Sequence, residues 1–170
     1  GGASDPLRAA FRAAFERAKE NWERMQALDR FATENADWLN DYALFMSLKD
    51  ENGGVAWENW PYGVRMREEN ALLEARERLG ESIRFYQFIQ CLFYEQWTAL
   101  RSYANERGVK IVGDLPIYVP LDSADVWSAP QEFLLDQERR PRCVAGVPPD
   151  YFSADGQLWG NPIYDWEHMK

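Results

Sequence analysis

The sequence has very little histidine or cysteine, and this limits the chemistry it can carry. Its single histidine, His168, lies near the last residue, so a Ser-His or Cys-His nucleophile system is not expected. The two cysteines, Cys91 and Cys143, stand far apart in the chain and lack the spacing of metal ligands. This predicts two free thiols and argues against a disulfide framework or a metal site.

Excess positive charge and long apolar runs are also missing. Lys and Arg number 19 against 28 Asp and Glu, a formal net charge of −9, which argues against nucleic acid because phosphate binding needs a concentrated basic surface. No apolar run reaches the roughly 18 residues that span a bilayer, and the N-terminus lacks the apolar region of a signal peptide. Gly53, Gly54 and Gly113 match neither a Walker loop nor a dinucleotide fingerprint. We therefore expect a soluble, cytoplasmic chain without a membrane or nucleic-acid partner.

Aromatic residues, by contrast, are abundant. Eight Trp, eight Tyr and nine Phe exceed what the core of a 170-residue chain needs. Such rings often serve sugar binding, because they stack on the apolar faces of pyranoses. A helix-rich core that uses rings for packing is the simpler explanation, and composition alone favours it.

Apolar residues recur at helical spacing through most of the first 107 residues. Asp5 followed by Pro6 is a helix start signal, and the first predicted helix runs from there to about Arg30. Further helices are predicted over about 36–49, 67–79 and 81–107. The last of these has apolar residues on more than one stripe, which predicts burial on two sides. Trp57 to Pro61 is too short for regular structure and is interpreted as a packed turn.

A short β-branched segment, Val109 to Gly113, follows the helical region directly. Its continuous apolar character predicts a strand of a parallel sheet that is covered on both faces. Arg142 to Val147 could form a second strand, and the remainder of the chain is interpreted as loop. A helix that leads into such a strand is half of a repeat in either a barrel or a doubly wound sheet. A complete eight-stranded barrel takes at least about 200 residues, so this chain cannot be a whole one.

Two blocks of sequence carry the most specific signal. The block VKIVGDLPIYVPLDSADVW, from Val109 to Trp127, brings Asp114 to the carboxyl end of the predicted strand. The block VAGVPPDYFSADGQLWGNPIYDW, from Val144 to Trp166, mixes rings, carboxylates and amides with Gly and Pro, as ligand-binding surface loops do. Together they resemble the 4-alpha-glucanotransferases, also called amylomaltases or disproportionating enzymes. The GD-x-PIYV, DSADVW, VAGVPPDYFS and GQ-x-WGNP-x-Y elements of that family stand here in order.

This resemblance implies an interior fragment of the family's catalytic domain. The expected fold class is α/β, a partial (β/α)8 TIM barrel that is mostly helical, with one or two parallel strands and a long substrate-binding loop. Residues 1–107 would supply barrel helices and an inserted helical subdomain. Residues 108–170 would supply a barrel strand and the long strand-to-helix substrate loop.

The resemblance also implies a retaining double displacement, in which two carboxylates about 5 Å apart act as nucleophile and acid/base. The family's nucleophile lies in an Arg-x-Asp motif that has no match here, and its acid/base Glu lies later still. No catalytic residue is therefore assigned, and the isolated chain is expected to be inactive. No cofactor is implied. Four other carboxylates are interpreted as cap or turn residues: Asp122, Asp125, Asp150 and Asp165.

Three residues are candidate sugar-binding residues by this resemblance. Asp114 matches a family Asp that contacts the sugar beside the cleaved bond, although a strand-end carboxylate bound to backbone N–H groups is the alternative. Gln157 and Trp159 match positions on a loop at the acceptor side of the cleft, where an indole stacks on glucose and an amide bridges hydroxyls. The alternative is that Trp159 packs under its own Gly-Pro turn.

The residues around these candidates are expected to support them. Asn161, Pro162 and Tyr164 would shape the loop, whereas Tyr151 and Phe152 could either line the cleft or anchor the loop. The amylases carry a His where this chain has Val119, which favours the glucanotransferase branch.

The partners implied by the resemblance are α-1,4-glucans and malto-oligosaccharides, and no oligomeric state is predicted. A second hypothesis is a non-catalytic glucan-binding or scaffold protein that retains the same loop. A third, a generic helical interaction protein, would explain residues 7–107 but leaves the two motif blocks unexplained.

Overall fold

The computed structural model describes residues 6–169, and these form two compact units. The first, here called the helical unit, consists of residues 6–47 and 76–113. The second, here called the hairpin unit, consists of residues 48–75 and 114–169. The predicted N-cap Asp5 lies outside the described residues. No helix within residues 6–169 is long and apolar enough to cross a membrane.

Seven α-helices and two strands follow one another along the described chain. The helices are α1 (Pro6–Lys19), α2 (Trp22–Glu34), α3 (Ala36–Glu51), α4 (Tyr62–Arg65), α5 (Glu69–Arg78), α6 (Gly80–Glu106) and α7 (Ala124–Ser128). The strands are β1 (Val144–Val147) and β2 (Gln157–Pro162), and 3-10 helices span Trp57–Asn59 and Pro130–Glu132. The predictions of helices near 36–49, 67–79 and 81–107 are confirmed by α3, α5 and α6.

The first predicted helix is two helices, so the prediction of one helix to about Arg30 is wrong. The division falls at Asn21, whose side-chain oxygen accepts a hydrogen bond from the backbone N–H of Arg24 at 3.1 Å. An Asn side chain competes well for the unpaired N–H groups of a helix start. Apolar residues recur at the same spacing on both sides of Asn21, and periodicity alone therefore does not reveal the break.

Side chains of α1, α2, α3 and α6 form the core of the helical unit. Phe15 is buried at the centre, with ring centroids 5.8 Å from Phe85 and 5.3 Å from Phe88. The buried cluster consists of Phe15, Ala18, Leu28, Ala43, Phe85, Tyr86, Phe88 and Cys91. The aromatic residues of this region therefore serve packing, as the simpler explanation of the composition held.

Burial of α6 on two sides is confirmed only for its N-terminal half. Further along the helix, Phe93 and Leu100 are 56% and 55% exposed. Tyr94 in this part of α6 packs on Phe31 and Trp38, but Phe93 and Leu100 stay exposed, so the prediction of burial on two sides is wrong there.

The described chain does not form the predicted parallel strand at Val109 to Gly113. These residues form no ladder with any other part of residues 6–169, and Val112 is 92% exposed. A strand exists only with a hydrogen-bonded neighbour, and a buried parallel strand also needs helices on both faces. A local sequence can carry strand character without either requirement being met.

The only sheet in the described chain is antiparallel, unlike the parallel strands that the sequence predicts. β1 and β2 pair with Gly146 opposite Leu158 and Val147 opposite Gln157, and the register is irregular between Val144 and Gly146. The possible second strand at 142–147 is confirmed as β1. The interpretation of all later residues as loop is wrong at β2, because Gly160 and Pro162 carry turn chemistry yet lie within a strand.

Two glycines let the backbones of this hairpin approach closely. A Cβ on Gly146 would lie 2.6 Å from the carbonyl oxygen of Gln157. Gly156 has a φ of +74°, and a Cβ there would lie 2.6 Å from the carbonyl oxygen of Val147. Any side chain at either position would therefore distort the hairpin.

The core of the hairpin unit is built around buried indoles that donate to backbone carbonyls. Trp57 donates to Leu121 at 2.7 Å, and Trp127 donates to Val64 at 3.0 Å. Trp60 is buried against Trp127 with ring centroids 5.8 Å apart. The prediction of a packed turn at Trp57 to Pro61 is confirmed.

Both thiols are free, as expected: Cys91 is buried in the helical unit and Cys143 is exposed in the hairpin unit.

Candidate functional site

Asp114 lies in an irregular segment that follows α6. The residue is exposed, and within residues 6–169 its carboxylate makes no hydrogen bond or ion pair. The alternative interpretation, a carboxylate engaged by neighbouring backbone N–H groups, is not what the described residues show. The side chain is accessible to a ligand.

Gln157 and Trp159 lie on β2 and not on a loop. Because side chains two residues apart in a strand point to the same face, the two groups meet there. The indole Nε1–H of Trp159 donates to Oε1 of Gln157 at 3.0 Å, and Trp159 is 51% exposed. The result is a solvent-facing indole whose N–H is already tied to an amide.

Tyr118, four residues after Asp114, contacts this pair from the side. Its ring makes an edge contact with Trp159 at 6.2 Å between centroids and is stacked on Tyr164 at 6.3 Å with an interplanar angle of 11°. Asn161 of β2 donates through Nδ2 to the carbonyl oxygen of Val119 at 3.0 Å. These contacts join the segment after Asp114 to the strand that carries Gln157 and Trp159.

The turn between β1 and β2 is built from its own hydrogen bonds. Oδ1 of Asp150 accepts from the backbone N–H groups of Phe152 at 2.9 Å and Ser153 at 2.8 Å, and the Ser153 hydroxyl donates to the carbonyl of Gly156 at 2.7 Å. Tyr151 and Phe152 are 97% and 90% exposed at this turn. The turn therefore presents two rings to solvent on a well-braced backbone.

The segment 119–123 is also tied to α3 and to the first 3-10 helix. Asp122 forms an ion pair with Lys49 and accepts a hydrogen bond from the backbone N–H of Trp57 at 3.3 Å. Partial burial, and then the nearby negative charge of Asp122, raise the pKa of the Glu58 carboxyl above its usual value. This cluster anchors the segment.

Three of the four carboxylates set aside in the sequence have structural partners, and the fourth, Asp125, lies in the first turn of α7. Besides the turn bonds of Asp150, Oδ1 of Asp165 accepts from the backbone N–H groups of Glu167 and His168, each at 3.2 Å. Ser123, and not an acidic residue, caps α7 by accepting from Val126. The turn interpretation is confirmed for Asp150 and Asp165, whereas Asp122 is an ion-pair partner.

The part of the chain that the structure describes contains no set of side chains that could form a metal site. No three or more His, Cys, Asp or Glu side chains there are grouped so that they could hold a metal ion.

Sequence reasoning found Gln157 and Trp159 as a pair but missed Tyr118. The structure brings the first two into direct contact and places Tyr118 against Trp159. Asp114 forms no hydrogen bond or ion pair with any of the three. The signal for Tyr118 is its position in the GD-x-PIYV element, from which only Asp114 is predicted as a site residue.

Comparison with known proteins places the chain in a family. The family model described as 4-alpha-glucanotransferase matches residues 5–170. A 4-alpha-glucanotransferase of Thermus thermophilus is 51% identical over 164 residues, which cover 96% of this chain and 32% of the relative. One from Aquifex aeolicus is 48% identical over 91% of this chain and 32% of its own length.

A solved structure gives the same result. The amylomaltase from Streptococcus agalactiae in complex with acarbose matches with a TM-score of 0.91 and 41% identity, over 98% of this chain and 34% of that one. The chain therefore belongs to the 4-alpha-glucanotransferase family. It spans about a third of the length of the relatives that it matches.

Proposed function

We propose that this chain supplies part of the sugar-binding cleft of a 4-alpha-glucanotransferase. The enzyme would cleave an α-1,4-glucan, hold the donor as a covalent glycosyl-enzyme with retention of configuration, and pass it to another malto-oligosaccharide. The observation that carries the proposal is the pairing of Gln157 with a half-exposed Trp159 on β2.

The pair has the chemistry that a glucose ring needs. The indole face of Trp159 offers an apolar surface for the C–H groups of a pyranose. Oε1 of Gln157 accepts the indole proton at 3.0 Å. The amide NH2 of the same side chain retains donors for sugar hydroxyls. Stacking and hydrogen bonding would therefore act on one sugar at adjacent points.

An acceptor site of this kind favours transfer over hydrolysis. A sugar held by Gln157 and Trp159 would occupy the space from which water would otherwise attack the glycosyl-enzyme. Asp114, exposed and without a protein partner among residues 6–169, would contact the sugar beside the cleaved bond. Tyr151 and Phe152 have the exposure needed to extend the same surface.

The chain on its own would bind sugar without catalysing transfer. Neither carboxylate of the retaining pair is assigned to it, and the described Asp150 and Asp165 carboxylates are used in turns. The reaction requires no cofactor, and the composition fits a cytoplasmic enzyme. A stand-alone scaffold is not favoured, because the relatives are 4-alpha-glucanotransferases.

We also propose that the chain is part of a (β/α)8 barrel, with the division near residues 107 and 108 retained from the sequence. Support comes from the exposed apolar residues of α6 and of the segment that follows it. Phe93 and Leu100 lie seven residues apart and so share one helix face, and Val109, Ile111 and Val112 are exposed directly beyond. In a barrel this helix face would pack on parallel strands, and residues 109–113 would form one of them.

The sugar-binding proposal is tested by titrating the purified chain with acarbose and with maltotriose, followed by the indole N–H signals in NMR spectra. We expect the Trp159 signal to shift on titration, and we expect Trp159→Ala to weaken binding by about tenfold, as loss of a stacking ring does for other ring-stacked ligands. Trp22→Ala, which removes an exposed indole in the helical unit, serves as the control.

Unchanged binding in Trp159→Ala would refute the assigned site. Maltotriose disproportionation by the chain alone would overturn the view that it lacks the catalytic pair.

A further inference from the structure

The Tyr118 ring is packed against another aromatic ring in addition to that of Trp159. It stacks on Tyr164, which in turn lies 5.1 Å from Phe133 and 5.2 Å from Trp166 between ring centroids. Tyr164 also forms a backbone bridge with Phe133. The ring behind Tyr118 is therefore part of a packed aromatic group, and Tyr118 cannot move back from Trp159 without disturbing that group.

The backbone beside Tyr118 is held as well. The carbonyl oxygen of Val119 accepts the side-chain hydrogen bond of Asn161, and that of Leu121 accepts the indole proton of Trp57. Asp122, one residue further, is paired with Lys49. Three independent contacts within five residues of chain thus define where the Tyr118 ring stands.

Trp159 itself has little else to define its orientation. Half of its surface is exposed, and within residues 6–169 its side-chain hydrogen bond is to Gln157 and its aromatic contact is with Tyr118. A half-exposed indole without a packed neighbour populates several χ1 and χ2 rotamers, and the loss of that freedom on binding reduces affinity.

We propose that Tyr118 is a positioning residue, whose ring holds the indole of Trp159 in the orientation that bonds to Gln157 and offers its face to a glucose ring. The sugar part of this inference rests on the proposed function of Trp159, whereas the orientation of the indole does not. A tyrosine within the GD-x-PIYV element thereby acts on an acceptor residue some forty positions later in the chain.

The test compares Tyr118→Phe, Tyr118→Leu and, as a matched control, Tyr62→Leu, which removes a ring that is also in the hairpin unit but is mostly exposed. Two quantities are measured on the full chain. The first is solvent exchange of the Trp159 indole proton without ligand, with the signal assigned through Trp159→Phe. The second is the affinity for acarbose.

Tyr118→Phe should leave both quantities unchanged, because it keeps the ring. Tyr118→Leu should raise the indole exchange rate several-fold and lower the affinity for acarbose by about two- to tenfold, the range expected for one aromatic pair. Tyr62→Leu should change neither. The other indole signals report whether each variant is folded, and Tyr118→Met replaces Tyr118→Leu should the latter fail to fold.

Unchanged indole exchange in a folded Tyr118→Leu would overturn the proposal and leave Tyr118 a packing residue only. Faster exchange together with no acarbose binding by the unsubstituted chain would support the positioning role and refute the proposed function, so the two can fail separately.

Discussion

The two units of this chain are stabilised by different means. In the helical unit, rings such as Phe15, Phe85 and Phe88 pack on one another, and few of the core groups are polar. In the hairpin unit, the largest fully buried side chains are indoles that also donate hydrogen bonds. Trp57 and Trp127 each donate to a carbonyl more than sixty residues away in the chain.

Arg139 is another large side chain of the hairpin unit that donates hydrogen bonds to backbone carbonyls. Its guanidinium donates to the carbonyl oxygens of Arg65 at 3.0 Å and Met66 at 2.8 Å, and burial lowers the pKa of this side chain. Irregular backbone leaves many carbonyls without a ladder or helix partner, and such groups must be satisfied when they are buried. The hairpin unit therefore uses polar atoms on large side chains where the helical unit uses periodic apolar contacts.

The comparison predicts that the largest single loss of stability comes from the helical unit. Phe15→Ala should lower the free energy of unfolding by about 3–5 kcal/mol, because it leaves a cavity among Phe85 and Phe88. Urea denaturation followed by far-ultraviolet circular dichroism measures this. Phe93→Ala, at an exposed position of α6, should cost far less. Equal losses in the two variants would contradict the assignment of the core.

A smaller loss is expected when the hairpin unit loses one indole N–H but keeps a ring. Trp57→Phe leaves the carbonyl of Leu121 without its donor and should cost about 1–3 kcal/mol beyond the loss of volume. Trp166→Phe, at an exposed indole, is the control. Thermal unfolding followed by near-ultraviolet circular dichroism compares them. Near-equal melting temperatures of the two variants would show that the hydrogen bond from Trp57 to Leu121 does not contribute to stability.

The smallest expected change in stability comes from Glu58, whose substitution should stabilise the protein and not destabilise it. Its folded-state pKa is raised, so folding is penalised above the unfolded-state pKa, and the penalty is complete once the pH exceeds the folded-state pKa. Glu58→Gln removes the charge and should raise the melting temperature slightly at neutral pH. At a pH below the usual glutamate pKa the two proteins should melt alike. A stabilisation that does not vary with pH would rule out the charge as its cause.

The contrast between the periodic apolar packing of the helical unit and the long-range hydrogen bonds of the hairpin unit explains how far the sequence could predict the fold. Helices α3, α5 and α6 could be predicted because their apolar spacing is a local property. The hairpin could be predicted only in part. β1 has strand character, whereas Gly160 and Pro162 are typical of turns and therefore make the β2 segment look like a loop. The buried role of Trp57 followed from its turn, but its donation to Leu121 depends on contacts distant in sequence.

For the candidate site, the sequence identified residues but not their geometry. Gln157 and Trp159 were selected by resemblance, and their hydrogen bond follows from the two-residue repeat of β2, which was not predicted. The ring contact of Tyr118 could not be predicted, because it depends on the Asn161 and Tyr164 contacts that bring distant segments together. Asp114 remains a prediction that rests on its motif and its exposure.

The different placement of the two cysteines gives each unit a natural chemical reporter. Cys143 is exposed beside β1 and should react with a maleimide in the folded protein, which would label the hairpin unit at a single position without any substitution. Cys91 is buried in the helical core, and burial raises the pKa of its thiol, so it should react only when that core opens. The rate at which the second thiol becomes modified would therefore measure the opening of the helical unit alone, in a protein whose other half is already labelled.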